Sequence, residues 1–299
     1  MLAPQLSVEN RSDLGIDLGQ RRVLEVFGKF GDGGATIATG LDNLAPVRAR
    51  HLLAPLAFLL ALALPTAAAA QIENPCIGPE ARSLLCPNLK IAPPSELYVQ
   101  TAGSQVRLRA TSDVQSRGLG PMELRGRRDG PRSMKTNQRI YEKGGGHITV
   151  PSGAKLRFTY VGTYFGGSYW KVHQLATIEL IRVRPDGSLG GVARTSPKLN
   201  YCLRDLERTR SGRRSPPGRV YPGCNQDPFR DRVKLGTSVG WSDIYPAAYH
   251  QQWIDVAGLR GCFVYRMIVD PGEHLFESNE NDNRSQIRVR LPYRGRPGC

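Results

Sequence analysis

No amphipathic segment after residue 71 is long enough to read as a helix, and that constrains the fold more than any other feature. In its place stand short alternating segments, at residues 96–100, 105–110, 122–125, 138–141 and 155–160, with Gly and Pro between them. Residues 178–184 and 262–270 are the richest in β-branched and aromatic side chains, which suit a pleated, packed surface. Residues 286–291 alternate Ile287, Val289 and Leu291 with polar positions, the pattern of a strand buried on one face. Strands at this spacing predict one all-β domain, β-sandwich-like with long loops, over residues 71–299.

The front of the chain reads differently. Residues 1–46 show no clear period and suggest a mis-assigned or disordered leader. Residues 47–70 hold a basic start, an apolar run at 52–64 and a small-residue stretch, the pattern of a secretory signal peptide cleaved near Gln71. The run is too short to span a bilayer, which takes about 20 apolar residues. A secreted or cell-surface protein with no membrane span in its mature form is expected.

Cysteine usage agrees. Cys76, Cys86, Cys202, Cys224, Cys262 and Cys299 all follow the apolar run, and none forms a C-x-x-C pair, which weakens zinc and thioredoxin-like readings. In an oxidising compartment an even count suggests a disulfide-stapled domain. Several pairings are open; the expected one closes local loops, Cys76–Cys86, Cys202–Cys224 and Cys262–Cys299.

Residues 206–223 carry R-T-R-S-G-R-R-S-P-P-G-R without apolar periodicity and read as a flexible basic loop. The chain as a whole carries a formal net charge of +15. No aromatics interleave these arginines, and export makes nucleic acid an unsuitable target. An acidic surface polymer is the partner that the charge favours.

Residues 238–255 read S-V-G-W-S-D-I-Y-P-A-A-Y-H-Q-Q-W-I-D. Trp241, Tyr245, Tyr249 and Trp253 recur at helical spacing, but Pro246 and Gly240 argue for a rigid aromatic loop at one end of the β-domain. Upstream lies P-K-L-N-Y-C-L-R-D at 197–205. Together, K-x-x-[FY]-C-L-x-D and Y-x7-W-I-D resemble the catalytic domain of the lysyl oxidase family. The resemblance extends over residues 122–124, 138–141, 158–180 and 262–283. It implies a copper-dependent oxidation of primary amines, such as protein or peptide lysine or a small amine, to aldehydes by oxygen. It places Lys198 and Tyr245 where the family keeps the precursors of lysine tyrosylquinone, whose carbonyl condenses with the substrate amine.

Copper in this family sits on three histidines in H-x-H-x-H. Aligned through Trp170 and Glu179-Leu180, those positions fall here on Gly167, Tyr169 and Lys171. Glycine has no ligating side chain, lysine is cationic near neutral pH, and tyrosine replaces imidazole poorly. His173 and His250 are the weak candidates for a relocated site; His147 and His274 fall in expected loops. The run E-S-N-E-N-D-N at 277–283 resembles the family's calcium turn, which implies Asn88, Leu89, Glu277, Asn279, Asp282 and Asn283 as its set. Asn-rich and Asp-rich turns also form without metal. Two functions stay open: a copper/quinone amine oxidase, impaired by the missing histidines, or a non-catalytic β-domain that binds an acidic partner.

Overall fold

The computed structural model describes residues 73–299, so the residues read as leader and signal peptide, with the cleavage point near Gln71, lie outside the described part. Two antiparallel sheets make the domain. The larger has ten strands. Its path runs Arg232–Thr237, Met122–Gly130, Ser133–Glu142, His147–Tyr160, Ser168–Val183, Gly261–Val269 and Arg284–Leu291. Leu84–Leu85 pairs with Ser133–Glu142, while Leu189–Thr195 and Leu199–Tyr201 both pair with Ser168–Val183. The smaller sheet follows Glu207–Arg208, Trp241–Tyr245, Gln105–Ser116 and Trp253–Asp255, with Leu89–Ile91 and Ser95–Ala102 also on Gln105–Ser116. Among the described residues the helical elements are two short 3-10 turns, Pro79–Arg82 and Thr163–Phe165.

Side-chain alternation explains the layers. Along Ser133–Glu142, Met134, Thr136, Gln138 and Ile140 turn inward. Along Arg284–Leu291, Val289 and Leu291 are buried and Arg288 and Arg290 exposed. Gln105–Ser116 and the middle of Ser168–Val183 are buried almost without interruption, because each strand is covered on both faces. Their apolar side chains meet in one core that includes Leu108, Val114, Leu124, Leu156, Trp170, Ile178 and Tyr265. Each of these side chains contributes about 1.5–3 kcal/mol by leaving water. A second, small cluster holds Leu84 and Ile140 beside the Cys76–Cys86 bridge. The other two bridges are Cys202–Cys224 and Cys262–Cys299.

Three local expectations are corrected. The basic stretch at 206–223 is expected as a free loop, but its backbone is anchored at both ends. Its start pairs as Glu207–Arg208 with Trp241–Tyr245. Asp205, fully buried, then accepts hydrogen bonds from the amides of Val220 (2.8 Å), Tyr221 (3.2 Å) and Ser238 (2.7 Å). A solvated, charge-rich surface conceals a backbone tied down by a carboxylate and a disulfide. The aromatic stretch is a strand, a tight turn and another strand, Trp241–Tyr245 and Trp253–Asp255, both paired with Gln105–Ser116. Lastly, His147 begins the His147–Tyr160 strand.

Candidate functional site

Tyr245 closes its strand opposite Ser112, and Pro246 ends the pairing by lacking an amide hydrogen. The turn that follows is held by Arg109, whose guanidinium donates to the carbonyls of Ala247 (2.8 Å) and Tyr249 (3.0 Å). This brings Tyr249 edge-on to Tyr245, with ring centroids 4.7 Å apart, while Tyr201 packs on it at 4.2 Å. The Tyr245 hydroxyl accepts a hydrogen bond from the Cys202 amide at 2.8 Å. Burial, then the nearby Asp243 charge, holds the Tyr245 phenol well above its ordinary pKa. It is a neutral phenol at every physiological pH.

Into this aromatic pocket comes Lys171, from the middle of Ser168–Val183 and only 2% exposed. Its ammonium donates to the Tyr249 hydroxyl (3.1 Å) and the Asn200 carbonyl (3.2 Å). It also lies 4.7 Å from both the Tyr245 and Tyr249 ring centroids, within cation–π range. Asp243, fully buried two residues before Tyr245, accepts from the Leu203 amide at 3.0 Å and faces Arg204 at 3.6 Å, an ion pair rather than a hydrogen bond. Burial pushes the Lys171 amine down and the Asp243 carboxyl up; attraction between the two charges opposes both shifts.

The other expected residues fall elsewhere. Lys198 is exposed just before Leu199–Tyr201, and its amine donates to Gln174 at 3.3 Å. The amine over the Tyr245 ring is therefore that of Lys171. Gly167 precedes the strand in the left-handed region, at φ +88°. Tyr169 donates its hydroxyl hydrogen to the Phe165 carbonyl at 2.7 Å. His173 Nδ1 lies 3.1 Å from Asn200 Oδ1, and burial lowers its pKa. His250 is lowered by burial and then by the charges of Lys171 and Arg109.

A second centre forms where Gly261–Val269 ends. Asp270, Glu277 and Glu280 place their ligand atoms within 4.8 Å of one another, the one such grouping of His, Cys, Asp or Glu among the described residues. Asn283 donates to Glu277 (3.1 Å) and Glu280 (3.2 Å), and its own side-chain oxygen is buried without a partner. Burial raises all three carboxyls, Glu280 to about 7 and Glu277 well above its ordinary value. Leu89 contributes only its amide, which donates to Glu277. Asp282 faces the other way, to Lys90 at 2.6 Å and the Asn88 amide at 3.2 Å, and Asn279 accepts from the Asn281 amide. Asp270 and Glu280 are not in the set that the family resemblance implies. Glu280 lay inside the run already singled out, and Asp270 lay in a D-P-G turn at the end of an expected strand.

The class these features define is a disulfide-bonded all-β domain with a buried tyrosine–lysine–aspartate centre and a separate carboxylate cluster. Residues 192–297 match the family model described as Lysyl oxidase, a match that supports membership of the lysyl oxidase family. The matched stretch contains Lys198, Tyr245 and Glu277, and begins after Lys171. No curated protein matches the chain.

Proposed function

We propose that this chain is an exported, lysyl-oxidase-fold binding protein in which Tyr245 and Lys198 remain unmodified. The observation that carries the reading is Lys171, a buried amine seated against both Tyr245 and Tyr249. The donors at the aligned positions do not fit copper. Gly167 offers no side chain, Tyr169 is bonded to Phe165, and Lys171 puts an amine where a cation would have to approach. Export follows the family's usual extracellular setting, and no helix among the described residues is long and apolar enough to cross a membrane. The partner that the charge favours is an acidic surface polymer.

A second reading is favoured by Lys198 and Tyr245 both lying inside the matched stretch: a copper/quinone amine oxidase acting on lysine or small amines. Protein expressed by export with copper supplied separates the two. Digestion and mass spectrometry are expected to show free Lys198 and Tyr245 peptides, and alkylamines to elicit no oxygen uptake. A stoichiometric Lys198–Tyr245 crosslink would overturn the reading.

The carboxylate cluster fits calcium, a hard cation that takes six to eight oxygens. Asp270, Glu277, Glu280 and the free side-chain oxygen of Asn283 would hold it. Its role in this proposal is structural, offsetting the repulsion between buried carboxylates. Glu280 is raised from 4.5 to about 7, so the folded state binds more protons than the unfolded chain between these values. Metal-free stability therefore falls as pH rises from 4.5 through 7. Calcium at a hundredfold excess over its Kd should add about 2.7 kcal/mol, which for a domain of this size is roughly 5–11 °C in Tm. Thermal melts of chelated protein with and without calcium test this. No rise at pH 7.5, or an equal rise in Glu277→Gln, would remove the site from the proposal.

A further inference from the structure

Away from the buried centre, the basic segment builds a pocket. Its loop is pinned over Gly240. The amides of Thr209 and Arg210 both donate to the Gly240 carbonyl, at 2.9 and 3.0 Å. Arg208 clamps the far end through the Ser215 hydroxyl (3.0 Å) and carbonyl (2.8 Å), and Trp241 Nε1 donates to the Pro216 carbonyl at 3.0 Å. Gly240 itself has φ +78°, and a Cβ there would lie 2.3 Å from the Arg210 carbonyl, so only glycine admits this close approach.

Between this loop and the end of Gln105–Ser116 lies a cavity of roughly 210 Å³, lined by Arg117, Arg210, Arg213 and Arg214 with no carboxylate among its walls. None of these four arginines forms an ion pair among the described residues. No backbone carbonyl among the described residues takes the amide protons of Arg213 or Arg214. The Arg117 fork is held by the Gln115 side-chain oxygen, so it lends the cavity charge, while the guanidiniums of Arg210, Arg213 and Arg214 suit an oxyanion, which such forks can grip bidentately.

Leu119, Arg214 and Val239 also line a second, adjoining groove of roughly 340 Å³, whose other walls include Leu85, Pro121 and Tyr141. Leu119, at the junction, is 44% exposed, a large apolar side chain left in water beside an arginine pocket. The single carboxylate on the groove is Glu142. It would repel a second anionic group there, which disfavours a repeating polyanion threaded through both spaces. A ligand with one anionic end and an apolar body meets the arginines with charge and Leu119, Pro121 and Val239 with apolar surface, and brings no second charge beside Glu142.

We propose that this paired pocket binds a single-chain anionic amphiphile, its oxyanion head among the arginines and its apolar chain along Leu119, Pro121 and Val239. None of Lys171, Lys198, Asp243 or Tyr245 lines either space, so the site stands whether or not Tyr245 is ever oxidised. The test uses purified protein and monomeric alkyl phosphates from hexyl to decyl, with inorganic phosphate, long-chain polyphosphate and dodecyl maltoside for comparison, read by calorimetry. Affinity should rise with chain length, by up to roughly fourfold per buried methylene. Inorganic phosphate and dodecyl maltoside should bind far more weakly than decyl phosphate. Arg213→Gln with Arg214→Gln, both exposed and so harmless to the fold, should weaken decyl phosphate about tenfold. Leu119→Asn should flatten the chain-length dependence and leave the melting temperature in place. Polyphosphate binding tightly with no dependence on alkyl length would overturn the proposal in favour of a polyanion surface. So would an absence of alkyl phosphate binding, or binding that both variants leave unchanged.

Discussion

Asp243→Ala is expected to lower the unfolding free energy by about 3–5 kcal/mol, the size seen when one member of a buried ion pair is removed. Asp243 is the carboxylate that faces both Arg204, at 3.6 Å, and the field of Lys171. Without it the buried Lys171 amine, already lowered by burial, loses the charge that favours its protonated form and keeps the opposing charge of Arg204, and the Leu203 amide loses its acceptor. Asp243→Asn keeps the size and an acceptor for that amide, so its loss should be smaller. Lys171→Met removes the other charge but leaves the Tyr249 hydroxyl and the Asn200 carbonyl without their donor. The double variant, Lys171→Met with Asp243→Asn, should be more stable than the sum of the singles implies, since neither charge is then left alone. Urea unfolding measures all four proteins. A loss below about 1 kcal/mol for Asp243→Ala would mean that the pocket is more hydrated than its geometry indicates.

This cluster also marks where the sequence stopped being readable. The sheets were legible because alternation is a local signal: Ile287, Val289 and Leu291 mark an inward face whatever strand lies beside them. The domain's disulfides were legible for a related reason, since each bridge closes a short stretch of chain. The inward direction of Lys171 was not legible. It sits on a strand covered on both faces, where parity no longer separates core from solvent, and its partners Asn200, Asp243 and Tyr249 come from distant parts of the chain. Alignment showed only that it stands at a position where the family keeps a histidine. The same applies to Asp270, which joins Glu277 and Glu280 only after the turn at Pro271-Gly272 folds the chain back. Asp205 was visible as the end of a motif, yet its work as a clamp on Val220, Tyr221 and Ser238 depends on contacts that no spacing reveals.

Reduction of the three disulfides should unfold the domain outright. The bridges span 10, 22 and 37 residues. Loop-closure entropy assigns them about 2.7, 3.4 and 3.8 kcal/mol at 25 °C. Their sum, about 10 kcal/mol, is comparable with the whole stability of an ordinary domain, about 5–15 kcal/mol. Cys202–Cys224 has a second effect. The Cys202 amide donates to the Tyr245 hydroxyl, and the bridge closes the segment that Asp205 clamps. Cys202→Ala with Cys224→Ala should therefore leave a folded protein weakened by roughly 3–4 kcal/mol, with amide exchange at position 202, Val220 and Tyr221 accelerated more than in the strands of the smaller sheet. Cys76→Ala with Cys86→Ala removes the shortest loop and should weaken the protein least, with exchange loosened instead around Leu84 and Ile140. Circular dichroism in dithiothreitol reports the first outcome, and hydrogen exchange with mass spectrometry the others. A reduced protein that keeps its β-sheet spectrum and a cooperative melt would show that the apolar core between the sheets holds the domain unaided.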